Sequence, residues 1–221
     1  MLYYISLGPD CLTAANLNML GLRKISLPFD WLLTKNDIDG IDYVIKNIDT
    51  NFQYFLRKLK KNSEGHYFSE NFPETFFPHC NFNARESEFE KLKQHYFAEY
   101  FENKSSETKI DKFKRRANRF INIINNSNNY CVFFYKVTNN TFFDEDTLGS
   151  IVNKIEYFIK KCSCKYKFLF YTVMEKNGKK ITFQNKFKNK HIYCKIYHIN
   201  YAANSDFGNK NDFAQLIKTI V

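Results

Sequence analysis

Apolar positions along this chain recur with two different spacings, and the switches between them mark the elements. Leu2–Leu7 is a short tyrosine- and isoleucine-rich run, which predicts a buried strand. From Leu12 the spacing becomes helical. Leu12, Ala15, Met19 and Leu20 fall on one stripe and predict a short helix. Asp10 is placed to cap it, with Pro9 setting the approach of the chain. Gly21 suits the left-handed position after the last turn, where Leu22 can fold back. Pro28 disfavours a helical Leu27, so Ser26–Trp31 reads as a turn or extended segment.

The same reading continues downstream. Asn36–Asp49 predicts a helix capped by Asn36 or Asp37, and Phe52–Leu59 continues the apolar pattern. Lys58, Lys60 and Lys61 mark a solvated turn. Tyr67–Asn83 has aromatics and prolines but no helical period, and reads as an irregular hairpin or long loop. Glu86–Tyr100 and Asp111–Asn125 predict two helices joined by the polar stretch Glu102–Thr108. Tyr130–Val137 and Lys167–Met174 predict strands around a helix at Asp144–Lys161. Lys180–Phe183 and His191–His198 predict further strands, and Phe213–Ile220 a closing helix. Strand–helix–strand order favours parallel pairing through right-handed crossovers. The expected fold is therefore α/β: a mixed, mainly parallel sheet flanked by helices. A single domain over residues 1–221 is expected, with 62–110 as an insertion-like loop and helix segment.

Composition changes this picture in a few places. Aromatic residues are 18% of the 221-residue chain, so large rings must carry much of the packing. The net charge of +10 permits an anionic partner, but Lys, Asn, Ile, Phe and Tyr are abundant together, which composition drift explains as well. No helix-turn-helix, zinc or RNP motif accompanies the charge, so nucleic acid is not expected as a partner. No apolar run approaches the roughly 20 residues of a membrane span. Met1 leads directly into the first strand with no signal peptide, so a cytoplasmic, reducing setting with free thiols is expected. Cys162-Ser-Cys164 lacks the spacing of a zinc or redox motif and has no second pair. Neither a metal nor another cofactor is expected.

One cysteine stands apart. Cys11 directly follows the first strand and opens the first helix, where amide dipoles favour negative charge. A thiol there is expected to have a lowered pKa and to act as a nucleophile, with the same amides receiving an oxyanion. Cys131 and Cys194 lie inside strands and read as core thiols; Cys162 and Cys164 read as surface residues beyond a helix end. A thiol nucleophile needs a base. His95 reads as solvated, and His191 and His198 as ordinary sheet residues. His66 and His79 lie in the irregular segment, and His79, in Phe-Phe-Pro-His-Cys, has the apolar surroundings that orient an imidazole. Asp30, hemmed by Pro28, Phe29 and Trp31, is the candidate orienting acid; it could equally cap the next turn.

Tyr4-Ile-Ser-Leu-Gly-x-x-Cys11, Gly21-Leu-Arg23 and Ser26-x-Pro-Phe-Asp-Trp31 together resemble the opening of a bacterial and viral family of papain-like cysteine peptidases. Phe-Pro-His79 and the Arg115-Arg-x-x-Arg119-Phe helix resemble that family's later spacing, so the likeness covers roughly the first 135 residues. The resemblance implies that Cys11 is the nucleophile and His79 the base. Arg23 and Asp30 match positions of the shared motif. A nucleophile at a strand-to-helix turn is equally at home in α/β hydrolases and transferases.

Three readings follow. In the first, a cysteine hydrolase acts on a peptide, amide, ester or glycan-linked substrate, with Cys11, His79 and Asp30 as catalytic residues. Arg23, Ser26, Trp31, Arg115 and Arg119 would then bind substrate. In the second, a surface-glycan transferase uses Arg23, Arg115 and Arg119 to grip a nucleotide sugar or sugar phosphate without covalent chemistry. In the third, the basic surface binds nucleic acid.

Overall fold

A computed structural model describes residues 1–78, 108–175, 189–199 and 210–219. His79, Cys80, His95, the expected helix Glu86–Tyr100 and the expected strand Lys180–Phe183 lie outside the described residues. The elements run β1 (Leu2–Ser6), α1 (Leu12–Met19), β2 (Leu33–Thr34), α2 (Asp37–Asp49), β3 (Leu59–Lys61), β4 (Tyr67–Ser69), β5 (Thr75–Phe77), α3 (Lys109–Ile124), β6 (Tyr130–Lys136), α4 (Asn139–Phe143), α5 (Glu145–Lys160), β7 (Lys165–Glu175), β8 (Ile192–Ile199) and α6 (Lys210–Lys218).

Four strands form a wholly parallel sheet in the order β1-β6-β7-β8, and the three-residue strands join β2 in an antiparallel sheet ordered β2-β5-β4-β3. The expected mixed α/β class, mainly parallel and flanked by helices, is the fold observed. Period-two alternation sorts the parallel sheet into two faces. Ile5, Cys131, Phe133, Tyr135, Phe168 and Phe170 point into the larger core, with α2, α3, α5 and the small sheet. Val132, Phe134, Leu169, Tyr171 and Tyr197 point the other way, onto Leu17 of α1 and Phe213, Leu216 and Ile217 of α6. Both faces are buried, which is why these strands read as nearly continuous apolar runs.

Local signals set the helix ends. Asn36 accepts the Asp39 amide at 2.8 Å and starts α2. Thr108 and Asp144 cap α3 and α5 in the same way. Gly21 adopts φ of +67°, and the amides of Gly21 and Leu22 close back on the carbonyls of Asn18 and Leu17 at 2.8 and 2.9 Å. This is the 5→2 and 6→1 pairing that ends a helix on a left-handed residue.

Of the hairpin or long loop expected at Tyr67–Asn83, the described part is a hairpin, β4 and β5, with strands too short for alternation to show in the sequence. Two expectations need correction. The stretch around Lys60 is not a bare turn but β3, paired to β4. Cys162 and Cys164 do not sit on the surface: Cys164 is buried and Cys162 half-buried against the larger core. The cause is that α5 ends against α3, where the Ser163 and Cys164 amides both donate to the Ile124 carbonyl at 2.9 and 3.0 Å. Among the described residues, no helix is long and apolar enough to cross a membrane.

Phe29 is the hinge-pin of the larger core. It is fully buried, meets Phe120, Tyr43 and Phe55 edge-on at 5.3, 6.1 and 6.1 Å, and stacks on Phe52 at 5.7 Å. It therefore joins the segment after α1 to α2, the turn beyond it and α3. Phe29→Ala should cost about 3–5 kcal/mol, read as a lower urea midpoint with an unchanged slope.

Candidate active site

The turn leaving β1 places Cys11. The Leu7 amide still donates to the Phe134 carbonyl at 3.0 Å, so β1 stays tied to β6 until it turns. Gly8 then takes φ of +92°, a left-handed conformation that glycine adopts without strain. The Pro9 carbonyl accepts the Thr34 amide at 3.1 Å, tying the turn to β2. One oxygen of Asp10 accepts the Leu12 amide at 2.9 Å, and the other accepts from the Lys136 ammonium at the end of β6. Cys11 thus stands at the carboxyl end of the parallel strands, the edge where open α/β sheets bind ligands.

The expectation of a lowered thiol pKa is not met. Burial pushes the half-buried Cys11 thiol up, and the Asp10 carboxylate adds to the rise. A hydrogen bond from its own amide and the positive charge of Lys136 pull the other way and lose. Asp10, which accepts the Leu12 amide, is also an anion beside the sulfur, so it adds to burial in outweighing the dipole advantage the sequence suggested. Two hydroxyls lie in the next layer: Thr13 Oγ1 and Tyr171 Oη are 2.6 Å apart. Burial, then Asp10, hold the Tyr171 phenol well above its ordinary range, so it keeps its proton.

Asp30 and Arg23 are joined to each other. Asp30 Oδ2 accepts Arg23 Nε at 3.0 Å, Arg23 Nη2 at 2.6 Å and the Leu27 amide at 2.7 Å. Both side chains are almost wholly buried, at 3% and 5% exposure. The guanidinium carbon also lies 5.7 Å from the centre of the half-buried Trp31 ring. Arg119 Nη1 donates to the Ser26 carbonyl at 3.2 Å, binding α3 to the same segment. Arg115 and Arg119 line an open groove of about 670 Å³ with Met1, Tyr3, Lys24 and Asn122. That groove opens at the start of β1, while Cys11 follows its end, on the order of 15 Å away by ordinary strand rise. The structure therefore joins Arg23, Asp30 and Trp31 in one group and Ser26, Arg115 and Arg119 in another, and it does not bring Arg115 to Cys11. His66 Nδ1 lies 3.2 Å from Glu64 in the β3–β4 turn, and His191 packs on Tyr166 at the amino end of β8.

A sequence family described as "Putative papain-like cysteine peptidase (DUF1796)" matches residues 2–178. The chain belongs to this family. The chain is also similar to uncharacterized protein R408 of Acanthamoeba polyphaga mimivirus, at 44% identity over 64 residues. That stretch is 28% of this chain and 28% of the viral protein. No solved structure matches.

Sequence reasoning saw Asp10 only as a cap and passed over Lys136, Thr13 and Tyr171. The available signal was Lys136 itself, a cation closing the otherwise apolar strand CVFFYK at a carboxyl strand end.

The electrostatics give two checks. Asp10→Asn removes the anion that raises the Cys11 thiol, so the inflection of Cys11 alkylation against pH should move down. Lys136→Met should move it up. Peptide mass spectrometry with iodoacetamide reads both, and unchanged inflections would contradict the assigned neighbours. Asp30→Ala should cost about 3–5 kcal/mol by leaving Arg23 buried without its partner; unaltered thermal stability would show that the pair is not the anchor described.

Proposed function

We propose that this protein is a cysteine-dependent hydrolase of peptide, amide or ester bonds, with Cys11 as nucleophile and His79 as base. The observation that carries the reading is the placement of Cys11 at the carboxyl edge of the sheet, in a chain of the DUF1796 peptidase family. Its thiol is held protonated by burial and by Asp10, so attack requires a base to take the proton, as a hydroxyl nucleophile does. Support for His79 comes from the strand that leads to it. β5 ends at Phe77, two residues before His79 in the sequence, and pairs antiparallel with β2, whose Leu33 lies opposite Phe76 and three residues after Asp30.

In this mechanism the sulfur bonds to the carbonyl carbon as its proton passes to the imidazole. The first-turn amides of α1 beyond Leu12, whose own amide Asp10 holds, receive the oxyanion. The imidazolium protonates the leaving amine or alcohol, and water then cleaves the thioester. Asp30 orients the imidazole while Arg23, Ser26 and Trp31 hold the Asp30 segment in place. Peptide and ester turnover should vanish in Cys11→Ala and fall by about 10²–10⁴ in kcat in His79→Ala. His198→Ala, at the β8 position opposite Met174, should leave the rate unchanged. Retained turnover in Cys11→Ala would overturn the proposal, and a loss in His198→Ala alone would reassign the base.

A transferase that binds a nucleotide sugar or sugar phosphate draws on a different observation, the groove between α3 and the start of β1 with Lys24, Arg115 and Arg119 on its walls. Thermal stabilisation by a nucleotide sugar that survives Cys11→Ser and is lost in Arg115→Ala would favour it.

A further inference from the structure

Three thiols meet at a place the proposed chemistry does not use. Cys131 shares its sheet face with Phe133 and Tyr135 in β6, and Tyr166 and Phe168 of β7 pack on that same face. Cys164 stands two residues before Tyr166 and continues that side. Because Cys131 pairs with Tyr166, Cys164 lies diagonally across from Cys131. Beyond the end of α5, the Cys162 amide closes on the Ile159 carbonyl at 2.9 Å and its sulfur turns inward to the Phe158 carbonyl at 3.6 Å. Cys131 and Cys164 lie in the larger core cluster and Cys162 packs against it, its thiol donating to the Phe158 carbonyl. The proximity of the three thiols favours ionisation at Cys164 and disfavours it at the other two.

We propose that Cys162 and Cys164, held beneath the carboxyl end of α5 with Cys131, form a hydroperoxide-responsive site that closes to a Cys162–Cys164 disulfide. Geometry selects the pair. Diagonal neighbours on adjacent strands have Cα atoms about 7–8 Å apart, at or beyond the roughly 6.8 Å upper end for a disulfide. Residues two apart in one chain are at most about 7 Å apart, and a bend brings them within range. Cys162 is the half-buried member, the part of the cluster nearest solvent, while Cys131 and Cys164 are buried. The Cys164 thiolate attacks one peroxide oxygen; the O–O bond breaks, and hydroxide or alkoxide leaves. The Cys162 thiol then displaces water from the sulfenic acid, forming the S–S bond. Both sulfurs are oxidised by one electron each, and the peroxide bond takes up the pair. With hydrogen peroxide, two thiols and one peroxide give one disulfide and two waters.

The test uses the full chain, hydrogen peroxide and quenching with N-ethylmaleimide, read by peptide mass spectrometry. The expected product is a peptide spanning Cys162 and Cys164 that has lost two hydrogens and regains them with dithiothreitol, while Cys194 still takes the alkylating agent. Cys131→Ala should slow bridge formation several-fold by removing a neighbour that favours ionisation at Cys164. In Cys162→Ser the bridge should vanish, and dimedone should trap a sulfenic acid at Cys164. A bridge from Cys131 to either partner, or unaltered thiols at all three positions, would overturn the assignment. Because the wild-type chain supplies the primary readout, a variant that fails to fold does not remove the test.

Discussion

Asp10 holds two groups at once, the Leu12 amide that opens α1 and the Lys136 ammonium that ends β6. Through that pair the turn after β1 is fixed against a neighbouring strand, and Cys11 is fixed with it. The parallel pairing of β1 with β6 brings the two strand ends level, and Gly8 gives the chain the left-handed step that lets it turn there. Asp10 also governs the chemistry available to Cys11. Burial raises the thiol most and the Asp10 charge adds to it, so a site that gains a docked turn gives up the easy thiolate a bare helix start would offer.

For the nucleophile proposed here, this exchange makes a partner base necessary. A half-buried, protonated sulfur is inert until its proton has somewhere to go, and low resting reactivity protects a thiol from stray electrophiles. At Cys164 the shift runs the other way, downward, through its neighbours Cys131 and Cys162. Two sulfur sites with opposed electrostatics therefore occur in one fold.

Much of the architecture was legible because long, fully buried strands and capped helices leave strong local signals. CVFFYKV and FLFYTV read as core strands, and Asp144, Asn36 and Gly21 marked helix ends where the structure has them. The small sheet was not legible: three-residue strands such as Thr75–Phe77 are stabilised by pairing across the chain rather than by their own pattern. At the candidate site, the position of Cys11 could be read from strand, turn and helix in succession. Its electrostatic surroundings could not, since Lys136 and Tyr171 reach it only through the register of β6 and β7. Asp30 could be read in sequence as an orienting acid or as a cap, and its pairing with Arg23 inside the fold is something no spacing rule reveals.

The most direct test of Cys11 as nucleophile is to capture its acyl-enzyme. The protein would be mixed with an activated ester, quenched in acid within the first turnovers, and mapped by peptide mass spectrometry. The account predicts one acyl group, on Cys11, which accumulates and then disappears as product forms. Acyl groups spread evenly over the thiols, or found on any residue other than Cys11, would contradict it.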